Sequence, residues 1–130
     1  MDDPTILVVD DVASMQQIMV RLLRQIGYPR IELASNGRAA MQLLLGRSFD
    51  LVIADLHMEP MGGLELVRWM RETGRLHETR VILMSAEAKP ENVITARDAG
   101  ASAYLIKPFT ANTLKEKIEE LLAGRSRGAG

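Results

Sequence analysis

Four apolar runs in this chain end in residues able to do chemistry. Ile6–Val9 leads into Asp10 and Asp11, Leu51–Ala54 into Asp55, Arg80–Met84 into Ser85, and Ala103–Ile106 into Lys107. Runs of this length without alternation read as strands buried on both faces of a parallel sheet. The C-terminal ends of such strands share one edge, where open α/β sheets place their ligands. Three carboxylates, a hydroxyl and an ammonium, far apart in sequence, are therefore expected to meet on one rim.

Three carboxylates crowded together repel one another unless a cation is present. There are no cysteines and only 2 histidines, so no zinc set is available. A hard ion with oxygen ligands fits better, and an open carboxylate site that also admits phosphate points to Mg2+. A carboxylate beside such an ion can act as a nucleophile and form an aspartyl phosphate. Lys107 and Ser85 would then neutralise and hydrogen-bond the phosphoryl oxygens. The constellation reads as phosphoryl transfer onto an aspartate.

The intervening segments are helices that would hold these strands. Met15, Ile18, Met19, Leu22, Leu23 and Ile26 follow the 3.6-residue period and stop at Gly27. A weaker strand, 30–34, precedes a helix capped by Asn36 that runs to Gly46. Leu64, Val67 and Met70 mark a helix ending near Gly74, and Pro90 opens one that closes at Gly100. Thr110 caps the last, with Leu114, Ile118, Leu121 and Leu122 on its apolar face. Strand and helix alternate five times, which predicts a single (βα)5 doubly wound parallel sheet. The expected organisation is one domain over 1–123 and a small polar tail, 124–130, with nothing to pack and hence disordered.

Lys plus Arg number 16 against 17 Asp plus Glu, so no basic excess points to direct nucleic-acid contact. No apolar stretch approaches membrane-spanning length, and the N-terminus lacks the regions of a signal peptide. A soluble cytoplasmic protein without membrane contact is expected.

The run from about Thr5 to Ala123 resembles the receiver domain of two-component response regulators, the CheY-like fold. The matching pieces include Val8–Asp11, Ala34–Gly37, Leu51–Asp55, Met61–Gly63, Met84–Ala86, Ala99–Ala101 and Tyr104–Phe109. Singly they are weak, and in this order and spacing they are very specific. The resemblance implies the flavodoxin-like strand order 2-1-3-4-5, Asp55 as phosphoacceptor, and Mg2+ held by Asp10, Asp11, Asp55 and the His57 backbone carbonyl. It further implies Lys107 as the family's lysine, Ser85 and Tyr104 as the switch pair, and a cis bond before Pro108. A histidine kinase or histidine phosphotransfer protein would supply the phosphoryl group, and an output protein would read the changed surface.

One departure stands out. Met58 is followed by Glu59, and Pro60 comes one place later than the family's usual proline. His57 and Glu87 lie where receivers tune the lifetime of the acyl phosphate, although both could be merely solvated. Met15 could join Pro108 and Phe109 in a kinase-docking surface. Trp69 is expected half-buried, His77 solvated, and Asp50 at the far end of the sheet.

The main expectation is a stand-alone receiver that does no chemistry beyond its own phosphorylation and dephosphorylation. Alternatives are a receiver excised from a longer regulator or hybrid kinase, and a receiver-like module that is never phosphorylated. A haloacid dehalogenase-type phosphatase needs a second Asp two residues after the nucleophile, where this chain has Val12 or His57. Flavodoxin-type cofactor binding fits no better, because the loop after the first strand is acidic.

Overall fold

The computed structural model describes residues 3–129, with side chains as far as 123. Five strands, β1 (Ile6–Val9), β2 (Ile31–Ala34), β3 (Leu51–Asp55), β4 (Arg80–Ser85) and β5 (Ala103–Ile106), form one parallel sheet in the order β2-β1-β3-β4-β5. The helices are α1 (Ala13–Ile26), α2 (Gly37–Gly46), α3 (Gly63–Arg71), α4 (Pro90–Ala99) and α5 (Ala111–Ala129). The fold class is as expected from the alternation of strands and helices, and the strand order is the one that the resemblance implies. Beyond 123 the backbone of α5 continues to Ala129, and the side chains that would decide whether the expected tail packs lie outside the description.

Side chains alternate across a strand, and this divides the core into two layers. Leu7, Val9, Val52, Ala54, Val81 and Leu83 meet Ala40, Leu44, Leu66, Val67, Met70 and Ala96 of α2, α3 and α4. Ile6, Val8, Leu51, Ile53, Ile82 and Met84 meet Met19, Leu23, Leu114 and Ile118 of α1 and α5. Each face of the central strands is covered, which is why β1 and β3 are apolar up to the residues that reach the rim.

The punctuation works as its chemistry predicts. Gly27 and Gly100 end α1 and α4 in the left-handed conformation, with φ of 118° and 112°. The Asn36 side chain accepts from the Ala39 N–H, and Thr110 Oγ1 from the Thr113 N–H. A 3-10 turn at Gly74–Glu78 was not foreseen. It is held from outside, because the Arg71 guanidinium donates to the Leu76 and His77 carbonyls at 3.3 and 3.0 Å.

Candidate phosphoacceptor site

Register brings the reactive residues together. Val9 pairs with Ala54, so Asp10 and Asp55 leave neighbouring strands side by side. Asp55 pairs with Met84 and Ser85 with Ile106, which carries Ser85 and Lys107 to the same rim. The Lys107 N–H donates to the Ser85 carbonyl at 2.8 Å, and the following Lys107–Pro108 bond is cis as expected. A second cis bond, Glu59–Pro60, lies where the sequence departs from the family pattern.

The three carboxylates converge: one oxygen each of Asp10, Asp11 and Asp55 lies within 4.8 Å of the others. Lys107 Nζ stands 3.4 Å from Asp55 Oδ2 and 3.7 Å from Asp10 Oδ2. One ammonium therefore faces three carboxylates, and the cluster remains short of positive charge. Asp10 is fully buried. Its Oδ1 accepts from the Val12 N–H at 2.9 Å, while its Oδ2 has no hydrogen bond among the described residues. Burial pushes the Asp10 carboxyl above the usual range. The Val12 N–H and Lys107 pull it back, and Asp55 and Asp11 add to the rise. A buried carboxylate oxygen that accepts no hydrogen bond and has its ammonium only at 3.7 Å is costly, and a divalent cation with oxygen ligands removes that cost. The donor set fits Mg2+.

The loop after β3 has little room. A Cβ on Gly63 would collide with the Asp55 carbonyl oxygen and lie 2.8 Å from a Leu83 methyl, so only glycine lets α3 start against the phosphoacceptor strand. Glu65 Oε1 accepts from the Gly62 N–H at 3.1 Å and holds that first turn. Together these contacts place the His57 N–H 3.4 Å from Asp55 Oδ1.

His57 and Glu87, separate in the sequence reading, are paired: Nε2 lies 2.6 Å from Glu87 Oε1. Glu87 also donates its N–H to Ser85 Oγ at 3.0 Å and accepts the Tyr104 hydroxyl on its carbonyl at 2.9 Å. Nothing in composition or period signals such a junction, because it joins two loops and the strands β4 and β5, which meet only in the fold. Gln16 was also missed. Its amide donates to the Asp10 carbonyl at 2.8 Å and so ties the start of α1 to the rim.

Other expectations fall into place. Asp50 sits at the opposite end of the sheet, where its Oδ2 accepts from the Thr5 N–H at 2.8 Å. Trp69 is half-buried and His77 exposed. Met15, Ile18 and Leu22 line a cleft of about 370 Å³ with Ala86, Lys107, Pro108 and Phe109, so Met15 does join the last two. Among the described residues, no helix is long and apolar enough to cross a membrane.

Known proteins with this arrangement are numerous. The family model of the response regulator receiver domain matches residues 6–119. The chemotaxis protein CheY of Pseudomonas aeruginosa is 40% identical over 116 residues, covering 89% of this chain and 94% of that protein. The solved chemotaxis protein CheY4 of Vibrio cholerae is similar with a TM-score of 0.86 and 30% identity, over 92% of this chain and 99% of that one. The receiver domain of a signal transduction histidine kinase from Syntrophus aciditrophicus gives 0.85 and 30%, over 93% and 91%. With its sheet order, its match over most of its length and relatives of this kind, the chain belongs to the response regulator receiver domain family.

Proposed function

We propose that the chain is the phosphoacceptor of a two-component or phosphorelay system, acting as a stand-alone, cytoplasmic response regulator. The observation that carries this reading is the cluster of Asp10, Asp11 and Asp55 faced by Lys107, in which the buried Asp10 Oδ2 accepts no hydrogen bond among the described residues. A histidine kinase or phosphotransfer protein is the donor. An Asp55 oxygen attacks the phosphorus of a phosphohistidine; the P–O bond forms as the P–N bond breaks, and the imidazole leaves. Lys107 holds an oxygen of the transferred group, and Ser85 donates to another. Asp10, Asp11, Asp55 and the His57 carbonyl would hold Mg2+, which when bound draws charge from the phosphoryl oxygens.

Phosphorylation adds about -1.5 to -2 charge. Ser85 turns toward it, and the Tyr104 ring follows into the space vacated. The surface of α4, β5 and α5 is thereby altered for an output protein. The chain acts on no substrate other than its own phosphoryl group. Stand-alone action is supported by the CheY relative of P. aeruginosa, 94% of which this chain covers. The likeness to a histidine kinase's receiver domain supports the second reading, a receiver within a longer hybrid protein.

Intact-protein mass after incubation with Mg2+ and acetyl phosphate is the test. The expected result is a gain of one phosphoryl group that needs both Mg2+ and Asp55, and is lost in Asp55→Asn. No gain, with the fold intact by circular dichroism, would instead support a binding module that is never phosphorylated.

A further inference from the structure

Glu87 holds the loop between β4 and α4 through three contacts, and two of them lead to the cleft. Its N–H reaches Ser85 Oγ and its carboxylate reaches His57 across 30 residues of sequence, while its carbonyl accepts from Tyr104 on the output side. A carboxylate only accepts, so His57 Nε2 carries the donated hydrogen. His57 belongs to the turn over Asp55, where its own backbone N–H points at Oδ1. A phosphoryl group on Asp55 would bring acceptor oxygens and up to about twice the charge of the Glu87 carboxylate to this turn.

We propose that His57 exchanges partners on phosphorylation. Its imidazole leaves the Glu87 carboxylate for a phosphoryl oxygen, and the β4–α4 loop is released from the cleft side. Ser85, the other cleft-side partner of Glu87, turns toward the same group. The tie thus opposes the switch until the phosphoryl group takes over its donor. This inference rests on the phosphoacceptor reading and adds to it a positioning pair, His57 and Glu87.

Titration of the whole chain with beryllofluoride in Mg2+, followed by calorimetry, tests the exchange. Glu87→Ala keeps both backbone contacts, removes the tie and frees His57, so it should bind about two- to fivefold tighter, the range for an exposed ion pair. His57→Ala loses the old and the new partner together and should bind no tighter than the unaltered chain. In the His57→Ala background, Glu87→Ala should change nothing. An unchanged Glu87→Ala, or tightening that persists without His57, overturns the exchange. Equal tightening by both single variants also overturns it, since the pair would then only restrain the loop. Failure of the unaltered chain to bind beryllofluoride strikes the phosphoacceptor reading itself, and the exchange falls with it.

Discussion

The middle of the sheet and its β5 edge are built differently. β1 and β3 are buried at every position, and the helices over them contribute large side chains: Leu44 from α2, Leu66 and Met70 from α3, Met19 and Leu23 from α1. At the edge, β5 buries only Leu105, and Ile106 is 44% exposed. α4 gives the core a single buried residue, Ala96, and leaves Ile94 exposed. The acidic cluster thus stands on a close-packed floor, while Tyr104 and α4 lie where little apolar burial opposes movement. A protein that must hold a phosphoryl group in one geometry and report it by rearrangement needs both. Stability is expected to be distributed accordingly.

The largest test of that contrast is truncation on either side. Ile53→Ala on β3 should cost about 2–5 kcal/mol, the range for a fully buried branched side chain in a core that cannot collapse. Val93→Ala on α4, half-buried, should cost about 1 kcal/mol or less. Urea unfolding of both decides, and equal losses would break the comparison. Next comes Gly63→Ala. One methyl group placed against the Asp55 carbonyl and Leu83 should cost about 1–3 kcal/mol and also slow phosphoryl uptake, because Asp55 must move with its backbone. An alanine variant that keeps wild-type uptake would show that α3 can shift without disturbing the rim.

A third effect is smaller and changes sign with metal. In metal-free protein the Asp10 carboxyl is raised, chiefly by burial, so the folded state binds a proton that the unfolded state has already released. Stability contributed at this site therefore falls as pH rises from about 3.8, the unfolded value, through the raised folded value. Above that window the charged form is carried at a cost. Asp10→Asn should remove the cost, raising stability in chelator at neutral pH by on the order of 1 kcal/mol and flattening the pH dependence. Mg2+ should stabilise the wild-type chain and not the variant. Thermal unfolding in chelator and in Mg2+ reads both.

How far this contrast could be seen in the sequence depends on what each feature rests on. The strands, Gly27, Asn36, Pro90 and Gly100 are local devices, with their causes within a turn or two, and they stand where the sequence placed them. The rim followed from one topological rule, that parallel strands end on one edge, so Asp10, Asp55, Ser85 and Lys107 could be gathered without knowing any distance. The turn at Gly74–Glu78 could not, because five residues carry no period and Arg71 holds it from another element. Nor could the Glu87 junction. The sequence puts His57 and Glu87 each near the site, but a bond between loops 30 residues apart is decided by the packing of the strands beneath them. The weakness of α4 was readable in part, since 90–99 holds few large apolar residues.

The smallest effect is the most specific. Tyr104→Phe removes the hydroxyl that donates to the Glu87 carbonyl and leaves the ring in place. The net value of one such hydrogen bond is about 0.5–1.5 kcal/mol, and at a half-buried site the lower part of that range is expected. Global stability should therefore hardly change. Amide exchange should change locally, because the released loop leads directly into α4, whose only fully buried residue is Ala96. Faster exchange is expected for residues 86–99, with none in α1 or along β1 and β3. If protection fell equally across the whole chain, the output side would be as tightly coupled to the floor as the floor is to itself, and Tyr104 would be a core residue rather than a switch. If it fell only in α4 and its preceding loop, the aromatic and the acidic rim would be separable in stability while remaining joined through Glu87.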